Sequence, residues 1–89
     1  MTFGVASGVL WEQVDTRVML IDSASSELVT LNPVGSRVWH ALAERPMTVA
    51  ELAQAVVEAF PGVSVAQATA DVEGFVEELL RIGLVSAEA

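Results

Sequence analysis

The chain contains no cysteine, so neither a disulfide framework nor a thiolate metal site can hold it together. Its one histidine, His40, has only carboxylates to join it around a zinc ion, a poor donor set for that metal. Long apolar runs are missing too. The stretch MTFGVASGVL lacks the basic region and extended apolar core of a secretion signal, and no segment approaches membrane-spanning length. The expectation is a cytoplasmic protein with no membrane partner, no cofactor and no metal. Positive charge is also scarce. Four arginines face twelve acidic residues, and the formal net charge of −8 at pH 7 repels phosphate backbones and anionic lipid headgroups. Nucleic acid is therefore not an expected partner.

What is present is apolar. With 89 residues, 53% of them hydrophobic, residues 1–89 suit a single domain around a single core. A chain of this size buries only about 60–65% of its unfolded surface. Little room remains for an enclosed catalytic pocket, and no catalytic residues are assigned.

The pattern along the chain divides into strands and then helices. Gly8 to Val14 and Arg17 to Asp22 read as strands joined by a tight Asp15-Thr16 turn. The four consecutive apolar residues of RVMLID predict a middle strand with both faces at least partly covered. Ser23 to Ser26 is a loop of hairpin length, and Glu27 to Leu31 is the third strand, antiparallel to the second. This third strand has one paired side and one free side. Alternation puts Leu28 and Thr30 on one of its faces and Glu27, Val29 and Leu31 on the other, without deciding which meets the helices.

Asn32 can cap a helix and Pro33 suits its first position, so the third strand runs straight into helix one, Pro33 to Arg45. Its stripe is Val34, Val38, Ala41 and Leu42, with Trp39 beside it. Thr48 and Glu51 form a capping box that opens helix two, which carries Leu52, Val56 and Phe60 inward and stops at Pro61-Gly62. Ser64 and Gln67 form a second box. The third helix continues to Ile82, with Gly83 as a left-handed stop and Leu84-Val85 packing back on the core. The fold class is α+β: a three-stranded antiparallel sheet followed by three helices, close to a winged helix-turn-helix.

A winged helix raises the idea of DNA binding, but helix three carries Asp71, Glu73, Glu77 and Glu78 against a single arginine, and affinity for DNA rests largely on cationic contacts. Ser36, His40 and Glu44 share one helix face at four-residue spacing, resembling a hydrolase triad, yet no glycine-rich elbow or oxyanion hole accompanies them. That trio reads as a solvated helix face. The constellation with binding potential is the free third strand beside helix three. An extended peptide can add to an exposed sheet edge and drop side chains between strand and helix.

Four segments carry a family resemblance: VMLID, the junction LVTLNPVGSRVW, the helix start TVAELAQAV, and DVEGFVEELLRIGLV. In this order and spacing the chain resembles the PqqD-like recognition domains that serve the biosynthesis of ribosomally made, modified peptides. It is most similar to the stand-alone members from lasso-peptide pathways. The resemblance implies a non-catalytic domain that binds a precursor's leader peptide as a fourth strand and delivers it to a separate, transglutaminase-like leader peptidase. The implied peptide-binding residues are Glu27, Leu28, Val29, Thr30 and Leu31 on the strand and Ala68, Asp71, Val72, Phe75 and Val76 on the helix. Leu28, Val72 and Val76 would form the apolar part of the groove.

Two rivals stand beside this reading: a peptide chaperone for a radical SAM enzyme in pyrroloquinoline quinone synthesis, and an acidic winged-helix transcription factor. Titration of labelled duplex DNA at low salt separates the second. No saturable binding is expected, and tight binding with a steep salt dependence would contradict the charge argument.

Overall fold

A computed structural model describes residues 1–22 and 26–88. Ser23, Ala24 and Ser25 of the expected hairpin loop lie outside the described residues. The elements are β1 (Thr2–Val5), β2 (Val9–Val14), β3 (Arg17–Asp22), β4 (Glu27–Thr30), α1 (Pro33–Glu44), α2 (Val49–Ala59), α3 (Val65–Arg81) and β5 (Val85–Glu88). The antiparallel sheet β2-β3-β4 has β3 in the middle, followed by the three helices, as the pattern predicts. Asp15, at φ 55°, makes the tight turn between β2 and β3.

A second, two-stranded sheet was not legible in the sequence. β1 pairs antiparallel with β5, bringing Val5 opposite Val85, and Phe3 exchanges two backbone hydrogen bonds with Met47, of 2.8 and 3.0 Å. The two terminal segments are thus joined across the end of α1. Leu84 and Val85 do pack on the core, but as the lead-in to a strand rather than a loose tail.

The core lies between the inner face of β3 and the helices. Val18 and Leu20 of β3, Val38 and Trp39 of α1, Leu52 and Val56 of α2 and Val72 of α3 are all fully buried. The expected partial cover of both β3 faces is present but uneven, with Val18 and Leu20 fully buried on the helix side. Ile21 is exposed and Met19 half-buried, because every helix packs on the other side. A continuous apolar run marks strand formation without saying how many faces are covered.

Helix ends follow local chemistry closely. Asn32 Oδ1 accepts from Gly35 N–H at 2.7 Å, with Pro33 in the first turn. At α2 the capping box closes in both directions, and the Thr48 backbone N–H and then Arg45 hold the Glu51 carboxyl below its usual range. At α3 Ser64 Oγ accepts from Gln67 N–H, while the Gln67 side chain turns forward to donate to Asp71 instead of completing the expected box. Gly83, at φ 83°, ends α3: its N–H donates to Leu80 C=O and that of Leu84 donates to Leu79 C=O, a Schellman arrangement. Among the described residues no helix is long and apolar enough to cross a membrane.

The supposed solvated face of α1 is not one. Ser36 is buried, and its Oγ accepts from Val18 N–H at 2.8 Å and donates to Leu31 C=O at 3.4 Å. The hydroxyl thus bridges β3 to the exit of β4. His40 is half-buried, with its ring edge-on to Trp11 at 5.2 Å and Nε2 2.5 Å from Gln13 Oε1. Glu44 alone is solvated. Four-residue spacing puts side chains on one face without saying whether that face is wet. Ser36→Ala leaves the buried Val18 N–H without its acceptor, so urea denaturation should show a loss of about 1–3 kcal/mol. An unchanged midpoint would mean that the bridge contributes nothing.

Candidate functional site

β4 is four residues long and, among the described residues, has a partner strand on one side only. Which of its backbone groups face outward follows from the register. Leu31 N–H donates to Val18 C=O at 2.8 Å, so Leu31 and Val18 are a hydrogen-bonded pair. Such pairs alternate along an antiparallel ladder. Thr30 opposite Met19 is then a non-bonded pair, Val29 opposite Leu20 a bonded one, and Leu28 opposite Ile21 non-bonded. The N–H and C=O groups of Leu28 and Thr30 therefore point away from β3, toward the open edge.

The exit of that edge is firmly anchored. Leu31 is buried, and its C=O accepts from Arg17 Nε at 2.9 Å as well as from Ser36. One residue later Asn32 caps α1. Strand and helix are thus joined without a flexible loop.

Beside this junction lies a groove of about 300 Å3 between the first turns of α1 and the middle of α3. Asn32, Val34 and Gly35 line it on one side and Asp71 and Phe75 on the other, with Val38 also contributing. α3 packs on α2 and β5 and reaches α1, but does not pack closely on β4. Asp71 is the only ionisable group in the lining, and it accepts from Gln67 Nε2 at 2.9 Å. The positive end of α1, which has no acidic residue in its first turn, faces the same space.

Eight of the ten residues expected to bind peptide fall into three sets. Asp71 and Phe75 line the groove, and Val29 faces the helix side of the sheet from beside it. Ala68 and Val72 are fully buried and Val76 nearly so, which makes them the support beneath α3's groove face instead of its apolar lining. Leu28 and Thr30 turn their side chains to the opposite, helix-free face of the sheet, so Leu28 does not join Val72 and Val76 in one pocket. Their backbone groups remain at the open edge. Glu27 is exposed at the start of β4, and Leu31 belongs to the core.

Asn32, Val34, Gly35 and Val38 also line the groove, and the sequence pattern does not mark them as site residues. The available signal is Gly35 itself: a glycine inside a helix costs stability relative to alanine, which points to a packing reason for it. A Cβ added there would sit 2.9 Å from Phe75 Cε1 and 3.2 Å from Asn32 Oδ1. The glycine lets the Phe75 ring lie directly against α1. Among the described residues, no group of three or more His, Asp or Glu side chains is placed to hold a metal ion.

The comparisons with known proteins agree with this architecture. The family model for coenzyme PQQ synthesis protein D (PqqD) matches residues 17–85. Two solved structures share the fold over almost the whole chain. TbiB1 in complex with the TbiA(beta) leader peptide superposes with a TM-score of 0.86 at 23% identity, covering 97% of this chain and 98% of the other. Lasso peptide synthetase B1 complexed with the leader peptide gives 0.81 at 22% identity, covering 96% and 98%. At these identities the likeness speaks for the fold. No curated protein sequence matches significantly.

Gly35→Ala should push Phe75 outward and shift its ring resonances in NMR spectra. Thermal stability should change by less than about 1 kcal/mol, because the better helix propensity of alanine offsets the crowding. Unmoved Phe75 resonances would contradict the packing described here.

Proposed function

The chain belongs to the PqqD family, and from that premise we propose that it is a non-catalytic adaptor binding the leader peptide of a ribosomally made precursor, in lasso-peptide biosynthesis. The leader adds to the open edge of β4 as a fourth strand. Its backbone bonds to the N–H and C=O groups of Leu28 and Thr30, and its inward side chains enter the groove lined by Val34, Gly35, Asp71 and Phe75. The observation that carries this reading is the conjunction of outward-facing backbone groups on β4 with a groove of mixed polar and apolar lining that begins at Asn32, two residues beyond the strand. The fold shared with two leader-bound proteins supports it.

Edge addition suits an adaptor. Backbone hydrogen bonds supply affinity with little demand on sequence, and the groove supplies selectivity. Asp71 and the net charge of −8 favour a leader whose bound segment is neutral or basic. The adaptor then presents its leader to a transglutaminase-like leader peptidase in the cytoplasm, and a cyclase acts on the core peptide.

A second reading has one observation in its favour, the family's description as a coenzyme PQQ synthesis protein. In that role the chain holds a precursor peptide for a radical SAM enzyme. A lasso leader and the quinone-pathway precursor, titrated in parallel, tell the two apart.

Calorimetric titration with a synthetic lasso-precursor leader peptide should give one-to-one binding. Thr30→Pro removes an outward N–H, so the variant should fold normally by circular dichroism and lose about tenfold or more in affinity. Val29→Pro removes a donor that belongs to the β3 ladder, so it should damage folding instead. Full affinity in a folded Thr30→Pro variant would remove edge addition as the binding mode.

A further inference from the structure

The three-stranded sheet presents a second surface on the face turned away from the helices. The registers set Leu10 of β2 opposite Ile21 of β3, and Ile21 opposite Leu28 of β4. Three large apolar side chains therefore form one row across all three strands, and they are 62%, 41% and 54% exposed. With Glu12 and Met19 they line a shallow depression of about 260 Å3. Alternation brings only Glu12 and Arg17 as charged residues to this face, on a chain whose net charge is −8.

The row runs in the direction of strand addition and ends at the open edge of β4. A peptide strand bonded there would continue it with a side chain of its own, because directly opposed residues on neighbouring strands share a face. Resting on the reading of β4 as a leader-binding edge, we propose that this outer face docks the peptidase that cleaves the leader, and that the peptidase contacts the row and the bound leader together.

Size and charge favour this occupant over a second copy of the chain. Three strands at about 4.8 Å spacing span only about 10 Å, which offers a few hundred Å2 against the ~800 Å2 per partner of a standard stable interface. Two copies would also set a charge of −8 against another of −8. A peptide strand widens the face, and an enzyme holding the scissile part of that peptide adds contacts of its own. Docking is then weak on the empty adaptor and strong on the loaded one. The complementary surface is apolar and belongs to a partner of neutral or positive net charge.

Leu10 lies on β2, the strand farthest from the open edge, which makes it a suitable probe. Three measurements on the full chain and its Leu10→Glu variant test the proposal: leader affinity by calorimetry, the rate of leader cleavage by the purified peptidase encoded with the precursor, and sedimentation. The expected result is leader affinity unchanged within about twofold and cleavage slowed about tenfold at subsaturating adaptor, equivalent to about 1.4 kcal/mol of lost docking. Leu10→Thr, which keeps a strong strand preference, should show the same pattern in smaller measure. Unimpaired cleavage with either variant would overturn the proposal, as would a wild-type dimer that Leu10→Glu dissolves, since that assigns the face to a second copy. If the wild-type chain does not bind the leader, the reading of β4 fails first and the docking proposal falls with it.

Discussion

The bridge made by the Ser36 hydroxyl is the interaction on which the open edge depends. β4 has four residues and, among the described residues, one partner strand, and a short strand paired on one side frays unless its end is fixed. Here the exit is fixed from several directions. Ser36 ties Leu31 C=O to Val18 N–H, Arg17 donates to the same carbonyl, and Asn32 turns the chain into α1 one residue later. Val18 N–H and Leu31 C=O thus gain a partner from the first turn of α1, and Gly35 N–H gains one from the cap Asn32. The outcome is an edge with a defined direction relative to α3.

That orientation gives the groove its form. α3 has two roles on opposite sides: Ala68, Val72 and Val76 are packed into the core, while Asp71 and Phe75 face outward beside the strand. The buried set fixes the rotation of the helix about its axis, so the outward set faces the groove beside the first turn of α1. Gly35 completes the arrangement by allowing the Phe75 ring against α1, where any side chain would displace it. A site built from such packed elements exists before the peptide arrives, which reduces the ordering cost of binding.

Much of this was legible in the sequence where the signals are local. Caps at Asn32, Thr48 and Ser64 mark the helix starts, Gly83 marks the end of α3, and the hairpin of β2 and β3 follows from alternation around Asp15-Thr16. What was not legible is non-local. Nothing in TFGV or VSAE announces that each pairs with the other across the length of the chain. Face assignment failed for a related reason: periodicity groups residues that share a side but does not say what covers that side. Ser36 was grouped correctly with His40 yet proved buried, and Ile21 belonged to an apolar run yet proved exposed. Leu28 was expected to share a pocket with Val72 and Val76, whereas the β3 register turns it to the far face. The family resemblance supplied the partner, and only the register supplied the direction of each backbone group.

Amide hydrogen exchange of the β4 residues, followed by NMR with and without leader peptide, tests the central claim most directly. In the free chain the amides of Val29 and Leu31 should be protected by β3 while those of Leu28 and Thr30 exchange freely. Adding the leader should protect Leu28 and Thr30 and leave the other two unchanged. A bound leader that leaves Leu28 and Thr30 unprotected would contradict the assignment of this edge as the place where the peptide strand adds.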